Sequence, residues 1–113
     1  MVEEISTNEV ESKLADEGVQ IVDIRNEHQF AAGHLPGAIN IPFHRLPAEI
    51  ADHEWGDEII VACPIGQSSI QAARLIASYE GVDPDARVAS MEGGYEAWGG
   101  ELERSDSTNP SPF

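Results

Sequence analysis

The residue best placed to do chemistry is Cys63, the one cysteine among 113 residues. Ile59-Ile60-Val61-Ala62 leads into it, and Pro64-Ile65-Gly66-Gln67-Ser68-Ser69 follows. Beyond that loop, Ile70-Gln71-Ala72-Ala73-Arg74-Leu75-Ile76-Ala77 has the apolar spacing of a helix. The pattern is strand, tight loop, helix, with the thiol at the C-terminal end of the strand. Open α/β sheets bind ligands at that edge. Backbone N–H groups of the loop and the start of the helix would stabilise a sulfur anion there. A solitary thiol cannot close an internal disulfide, so its chemistry runs through a thiolate, a persulfide or a bond to another molecule. The competing reading is an inert cysteine buried in the core, a common fate of free thiols.

Few other side chains compete for a chemical role. Asp23 and Arg25 follow a buried apolar run near the same edge. Arg25 either offers its charge to an anionic ligand or is held in an ion pair by Asp23 or Glu27, and the ion pair is the favoured reading. His34 reads as a turn residue bonding backbone. His28, His44 and His53 lack the company of a metal site, so no metal is expected. Gly93-Gly94 is a tight turn rather than a phosphate loop, because no lysine follows it. Tyr95 and Trp98 read as core residues packing the last helix on the sheet.

The elements that must position these residues alternate between strand and helix. Ile5 closes a short apolar start. Ser6 and Glu9 stand at capping-box spacing, predicting a helix from Thr7 to about Asp16 that ends by Gly18. Val19–Ile24 reads as a buried strand, Glu27–Ala32 as a short helix stopped by Gly33, and Ala38–Ile41 as a strand ended by Pro42. Arg45–Ala51 has room for a short helix with Pro47 in its first turn. Glu58–Ala62 is the strand before the cysteine, Ser69–Tyr79 the strongest helix, and Ala86–Ser90 a final strand. A last helical turn runs through Tyr95, Ala97 and Trp98. Strands alternating with helices predict a three-layer α/β/α domain over residues 1–104, with a mainly parallel five-stranded sheet. Residues 105–113, with Ser, Thr, Asn and two prolines, are expected to form a disordered tail.

Composition narrows the partners. There are 21 acidic residues against 6 basic ones, a net charge of −15, and Lys13 is the only lysine. Nucleic acid and anionic membranes need a basic footprint and are disfavoured. No apolar run approaches the roughly 18 residues that span a bilayer. The start, Met1-Val2-Glu3-Glu4, lacks the basic region of a signal peptide. One cysteine gives no disulfide framework and points to a reducing cytoplasm. A dispersed acidic surface with scarce lysine resembles proteins of salt-loving archaea, the alternative being an ordinary acidic cytoplasmic protein. Nothing in the pattern sets an oligomeric state.

Three separated segments resemble the rhodanese-like domain. They are Asp23-Ile24-Arg25-Asn26-Glu27-His28-Gln29-Phe30-Ala31-Ala32-Gly33-His34-Leu35-Pro36-Gly37-Ala38-Ile39-Asn40-Ile41-Pro42, Cys63-Pro64-Ile65-Gly66-Gln67-Ser68-Ser69, and Met91-Glu92-Gly93-Gly94-Tyr95-Glu96-Ala97-Trp98. The resemblance implies a sulfurtransferase without a cofactor. Cys63 would take sulfane sulfur from thiosulfate or a persulfide, hold it as a persulfide, and pass it to a thiol, cyanide or a partner protein. Amides from Ile65 to Ser69, Gln67 among them, would cradle the terminal sulfur. Gly66 lets the loop curl, Ser68 and Ser69 add hydroxyls, and one of these would cap the following helix. Pro64 fixes its own φ and removes one N–H from the cradle. Many active members carry a basic residue where this chain has Ser68. A protein-bound or neutral donor is therefore expected at least as readily as thiosulfate. An arsenate reductase or phosphatase on this scaffold would want a longer loop ending in arginine. A non-catalytic interaction module would usually lack the cysteine.

Overall fold

The computed structural model describes residues 2–104, and the expected tail at 105–113 lies outside them. Its five strands are β1 (Glu3–Ile5), β2 (Val19–Asp23), β3 (Ile39–Asn40), β4 (Glu58–Ala62) and β5 (Arg87–Met91). They form one sheet in the order β1-β5-β4-β2-β3. Every strand pair is parallel, where the sequence predicts only a mainly parallel sheet. One isolated antiparallel bridge joins His34 to Glu103 outside these strands. The helices are α1 (Thr7–Lys13), α2 (Glu27–Ala32), α3 (Leu46–Glu49), α4 (Ser68–Ser78) and α5 (Gly94–Ala97). Single 3₁₀ turns, Phe43–Arg45 and Ile50–Asp52, flank α3.

Side chains alternate across the strands and feed two separate cores. Val22, Ile59, Val61, Cys63 and Val88 face one side, where Ala72, Ala73 and Ile76 of α4 cover them. Ile21, Ile60, Ala62, Ala89 and Met91 face the other, packed with Val10 of α1 and with Tyr95 and Trp98. The central strand β4 supplies both cores, so Ile59, Ile60, Val61 and Ala62 are all fully buried. An unbroken apolar run is what burial on two faces demands. Burying each Ile or Val favours the fold by roughly 1.5–3 kcal/mol.

Several helix boundaries differ from expectation by a few residues, two of them with a local cause or consequence. Helix α1 begins as predicted, with Ser6 Oγ accepting from Glu9 N at 3.1 Å. It stops at Lys13 rather than near Asp16. The Asp16 carboxylate instead accepts from Gly18 N at 2.9 Å, a local bond that competes with the helix. Helix α4 starts one residue earlier than predicted, at Ser68, and its N-cap is Gln67 without a side-chain bond. Neither serine of the loop caps it.

Strand order sets where a site can form. From β2 the chain moves outward to β3, and from β4 it moves outward the other way to β5. The two connections diverge between adjacent parallel strands, which opens a crevice at their carboxyl ends. Cys63 is the first residue past the end of β4 there.

Candidate active site

Cys63 is fully buried, and its sulfur is met by hydrogen-bonding groups of its own loop. Gly66 N donates to Sγ at 3.0 Å and Ser69 N at 3.3 Å. The thiol lies 3.2 Å from Ser69 Oγ, toward which it donates. Ser69 Oγ lies 2.6 Å from Ser90 Oγ on β5, and both serines are fully buried. Of the amides expected to form a cradle, those of Gly66 and Ser69 reach the sulfur. Pro64, Ile65 and Gln67 are exposed around it, and Ser68 is half-buried.

The loop holds this shape because two glycines interlock. Gly66 has φ +88°, and a Cβ there would stand 2.8 Å from Gly93 N. Gly94 has φ +61°, and a Cβ there would stand 2.7 Å from both Ile65 N and Gly66 N. With no side chain between them, the start of α5 reaches the loop carbonyls. Tyr95 N donates to Cys63 O and Glu96 N to Pro64 O, each at 2.9 Å. Gly93-Gly94 is thus a docking point for the cysteine loop, a role beyond the tight turn read from the sequence.

A second polar cluster occupies the other face of the same edge. Asp23 is fully buried and accepts from Arg25 N at 2.9 Å, from Arg25 Nη2 at 2.8 Å and from Tyr95 Oη at 2.8 Å. Arg25 also donates to Gly33 O at 2.6 Å, and its guanidinium carbon lies 3.6 Å from the centre of the Tyr95 ring. Of the two roles read for Arg25, the geometry is that of the ion pair, with Asp23 as partner. Glu27 pairs instead with Arg45, at 3.1 Å. Burial pulls the Arg25 guanidinium down, but the hydrogen bond and charge of Asp23 outweigh it and hold it above its ordinary value. Burial, followed by the Asp23 carboxylate, pushes the Tyr95 phenol well up.

Sequence reasoning passed over two residues of this edge. Tyr95 is more than a packing residue: its hydroxyl also accepts from Leu35 N at 2.9 Å. Ser90 carried a signal, since it places a hydroxyl on the helix-covered face of a strand whose other residue there is Val88. His34 is buried, donates from Nδ1 to Phe30 O at 2.8 Å, and stacks on the Phe30 ring. Among the described residues, no three His, Cys, Asp or Glu side chains gather to hold a metal ion. Nor is any helix there long and apolar enough to cross a membrane. A hollow of about 450 Å³ opens beside the exit of β2, lined by Ile24, Asn26, Pro42, Phe43, His44 and Pro47.

Comparison with known proteins adds context to this geometry. Residues 6–101 match the family model described as a rhodanese-like domain. The chain is 38% identical over 85 residues to the thiosulfate sulfurtransferase GlpE of Stutzerimonas stutzeri, covering 75% of this chain and 74% of that protein. It is 32% identical over 99 residues to a sulfurtransferase of Allochromatium vinosum, covering 87% and 89%. Among solved structures, a rhodanese-like domain protein from Staphylococcus aureus superposes with a TM-score of 0.74 at 29% identity, over 91% of this chain and 98% of that one. The human single-domain sulfurtransferase TSTD1 superposes with a TM-score of 0.67 at 26% identity, over 83% and 92%.

Proposed function

The chain belongs to the rhodanese-like domain family and is a sulfurtransferase, and from that premise we propose that Cys63 carries the sulfur as a persulfide. In the first half-reaction the Cys63 thiolate attacks the outer sulfur of a donor. The donor's S–S bond breaks, its electron pair leaves with the departing group, and a Cys63–S–S⁻ persulfide forms. In the second half, an acceptor thiolate or cyanide attacks the outer sulfur, and the bond pair returns to Sγ. No external oxidant or reductant is needed. The observation that carries this reading is a single buried thiol, at a sheet edge, with Gly66 N, Ser69 N and Ser69 Oγ all within hydrogen-bonding distance of its sulfur. The absence of a second cysteine leaves a persulfide with no internal thiol to discharge it.

The donor is a sulfane-sulfur compound, either thiosulfate, as the name of the Stutzerimonas relative suggests, or a persulfide. The loop weighs toward the less charged of these. It contains no cation, and Arg25, the arginine of the polar cluster on the other face of this edge, is committed to Asp23. The same lack of a loop arginine weighs against arsenate or phosphate chemistry, which uses a bidentate cation on the oxyanion. We read the net charge of −15 as adaptation to concentrated salt. Among the described carboxylates only Asp23 is buried, so the acidity is carried on the surface.

The test is intact mass after incubation with thiosulfate and, separately, with a low-molecular-weight persulfide. The expected result is a gain of one sulfur by the wild type and none by Cys63→Ser. A folded wild type that takes up sulfur from neither donor, at low or molar salt, would sink the reading.

A further inference from the structure

We propose that Ser90 is a positioning residue for the reacting sulfur, acting through Ser69. This rests on the reading of Cys63 as the sulfur carrier. Ser90 pairs with Val61 across β4 and β5 and shares their helix-covered face with Val88. The neighbouring positions are apolar, so a buried hydroxyl there requires a partner. Its partner is Ser69 Oγ at 2.6 Å, and the next atom along is Cys63 Sγ at 3.2 Å from Ser69 Oγ.

Counting protons along this chain shows which charge state it suits. Three atoms in a row leave two gaps, and each gap takes one proton. With a neutral thiol there are three protons: S–H points to Ser69, Ser69 O–H points to Ser90, and the Ser90 proton has no acceptor among the hydrogen bonds of the described residues. Removing the thiol proton leaves two protons for the two gaps. Ser90 then donates to Ser69, and Ser69 donates to the sulfur anion. Both hydroxyls rotate and no heavy atom moves. The amides of Gly66 and Ser69 complete three donors on that sulfur.

Sγ is the anion at two points in the cycle: as nucleophile before sulfur uptake, and as leaving group when the acceptor removes the outer sulfur. Ser90 serves both by making Ser69 a donor toward Sγ. A hydrogen bond that receives a second one strengthens in a low-dielectric site, and charge on the acceptor strengthens it further.

The experiment compares wild type with Ser90→Ala and Ser90→Thr at one fixed neutral pH. It reads the rate of persulfide loading by mass and the ultraviolet absorbance of the thiolate in the folded protein. Ser90→Ala is expected to load roughly three- to tenfold more slowly, the size of one hydrogen bond, with reduced thiolate absorbance. Ser90→Thr, which keeps the hydroxyl, is expected to restore both. Ser69→Ala is the second variant, expected to lose at least as much as Ser90→Ala. Thiolate absorbance in Ser90→Ala equal to wild type would overturn the proposal, as would equal impairment of the Ala and Thr variants. A wild type that loads no sulfur overturns the carrier reading instead, and the thiolate absorbance still decides the role of Ser90.

Discussion

Two polar clusters sit at one edge of the sheet, on opposite faces, and they are built differently. On one face Asp23, Arg25 and Tyr95 bring full charges together, and every distance among them is short. On the other, Cys63, Ser69 and Ser90 bring together a thiol, two hydroxyls and two backbone amides, with no charged side chain in their hydrogen bonds. Residue 95 joins them: its phenol belongs to the first cluster, and its backbone N–H donates to Cys63 O in the second. The difference teaches a division of labour. The charges neutralise each other and fix the position of α5, and α5 in turn fixes the loop. The donors around the sulfur carry no charge, so under the proposed persulfide cycle they would follow a charge that appears and disappears there.

The largest expected effect comes from breaking the charged cluster. Asp23→Ala leaves Arg25 partly buried and unpaired, and such losses cost about 3–5 kcal/mol. A urea melt should show this drop, while molecules that remain folded should still load sulfur on Cys63. If loading vanished with stability intact, the division of labour would be wrong, and Asp23 would belong to the chemistry.

Gly94→Ala breaks the joint rather than either cluster. The new methyl would crowd Cys63 O, Ile65 N and Gly66 N, and the residue would have to hold φ +61°. Backbone strain of this kind costs about 1–3 kcal/mol. Loading should fall further than stability does, because the displaced atoms are those that shape the sulfur's surroundings. Intact-mass kinetics beside a thermal melt would separate the two losses.

Tyr95→Phe tests the bridging phenol. It leaves Leu35 N and one Asp23 oxygen short of a partner, worth about 1–3 kcal/mol. The loss should depend on pH in one direction. An unfolded tyrosine ionises near pH 10, whereas burial and Asp23 keep the folded phenol protonated well beyond that. The stabilisation from the protonated phenol is therefore complete below about pH 10 and fades as the pH rises above it. Melts at stepped alkaline pH should show wild type and Tyr95→Phe converging. Parallel curves would mean that the phenol proton contributes nothing to holding the joint.

These variants also mark what could be read from the chain before folding it. The order of strands and helices was legible because β4 is a nearly unbroken apolar run, β2 carries Val19, Ile21 and Val22, and α4 has a clear apolar face. The first strand was visible only as a short apolar start. It has three residues with one buried, and what makes it a strand is pairing with β5, far along the chain. Cys63 and Gly66 stood out because their roles are local: a thiol at a strand end and a residue free to take a positive φ. Ser90 and the Tyr95 hydroxyl did not, because each acquires its meaning from a partner 21 or 72 residues away. A serine on the apolar face of β5 was the one trace of the first, and no trace announced the second.

The smallest effect is expected at the opposite edge of the sheet, where charge is half-exposed instead of buried. Arg87 at the start of β5 contacts Glu3, Glu9 and Glu58 at 2.9–3.2 Å, and Lys13 reaches Glu58 at 2.7 Å. The hydrogen bond from Arg87 holds the Glu3 carboxyl below its ordinary value. Its contribution is thus present above the ordinary carboxylate range and is lost as the pH falls through the lowered value. Solvent-accessible pairs of this kind are weak and screened by salt. Arg87→Gln removes the cation from among three carboxylates. At low salt, where the Debye length is about 10 Å or more, their repulsion should lower the melting temperature slightly. In molar salt, where that length is about 3 Å, the difference from wild type should disappear. Asp23→Ala should stay as damaging in molar salt as in dilute buffer, because salt does not reach a buried pair. A loss in Arg87→Gln that persisted in molar salt would make this edge a packed structural cluster like that of Asp23, and would remove the contrast between buried and exposed charge.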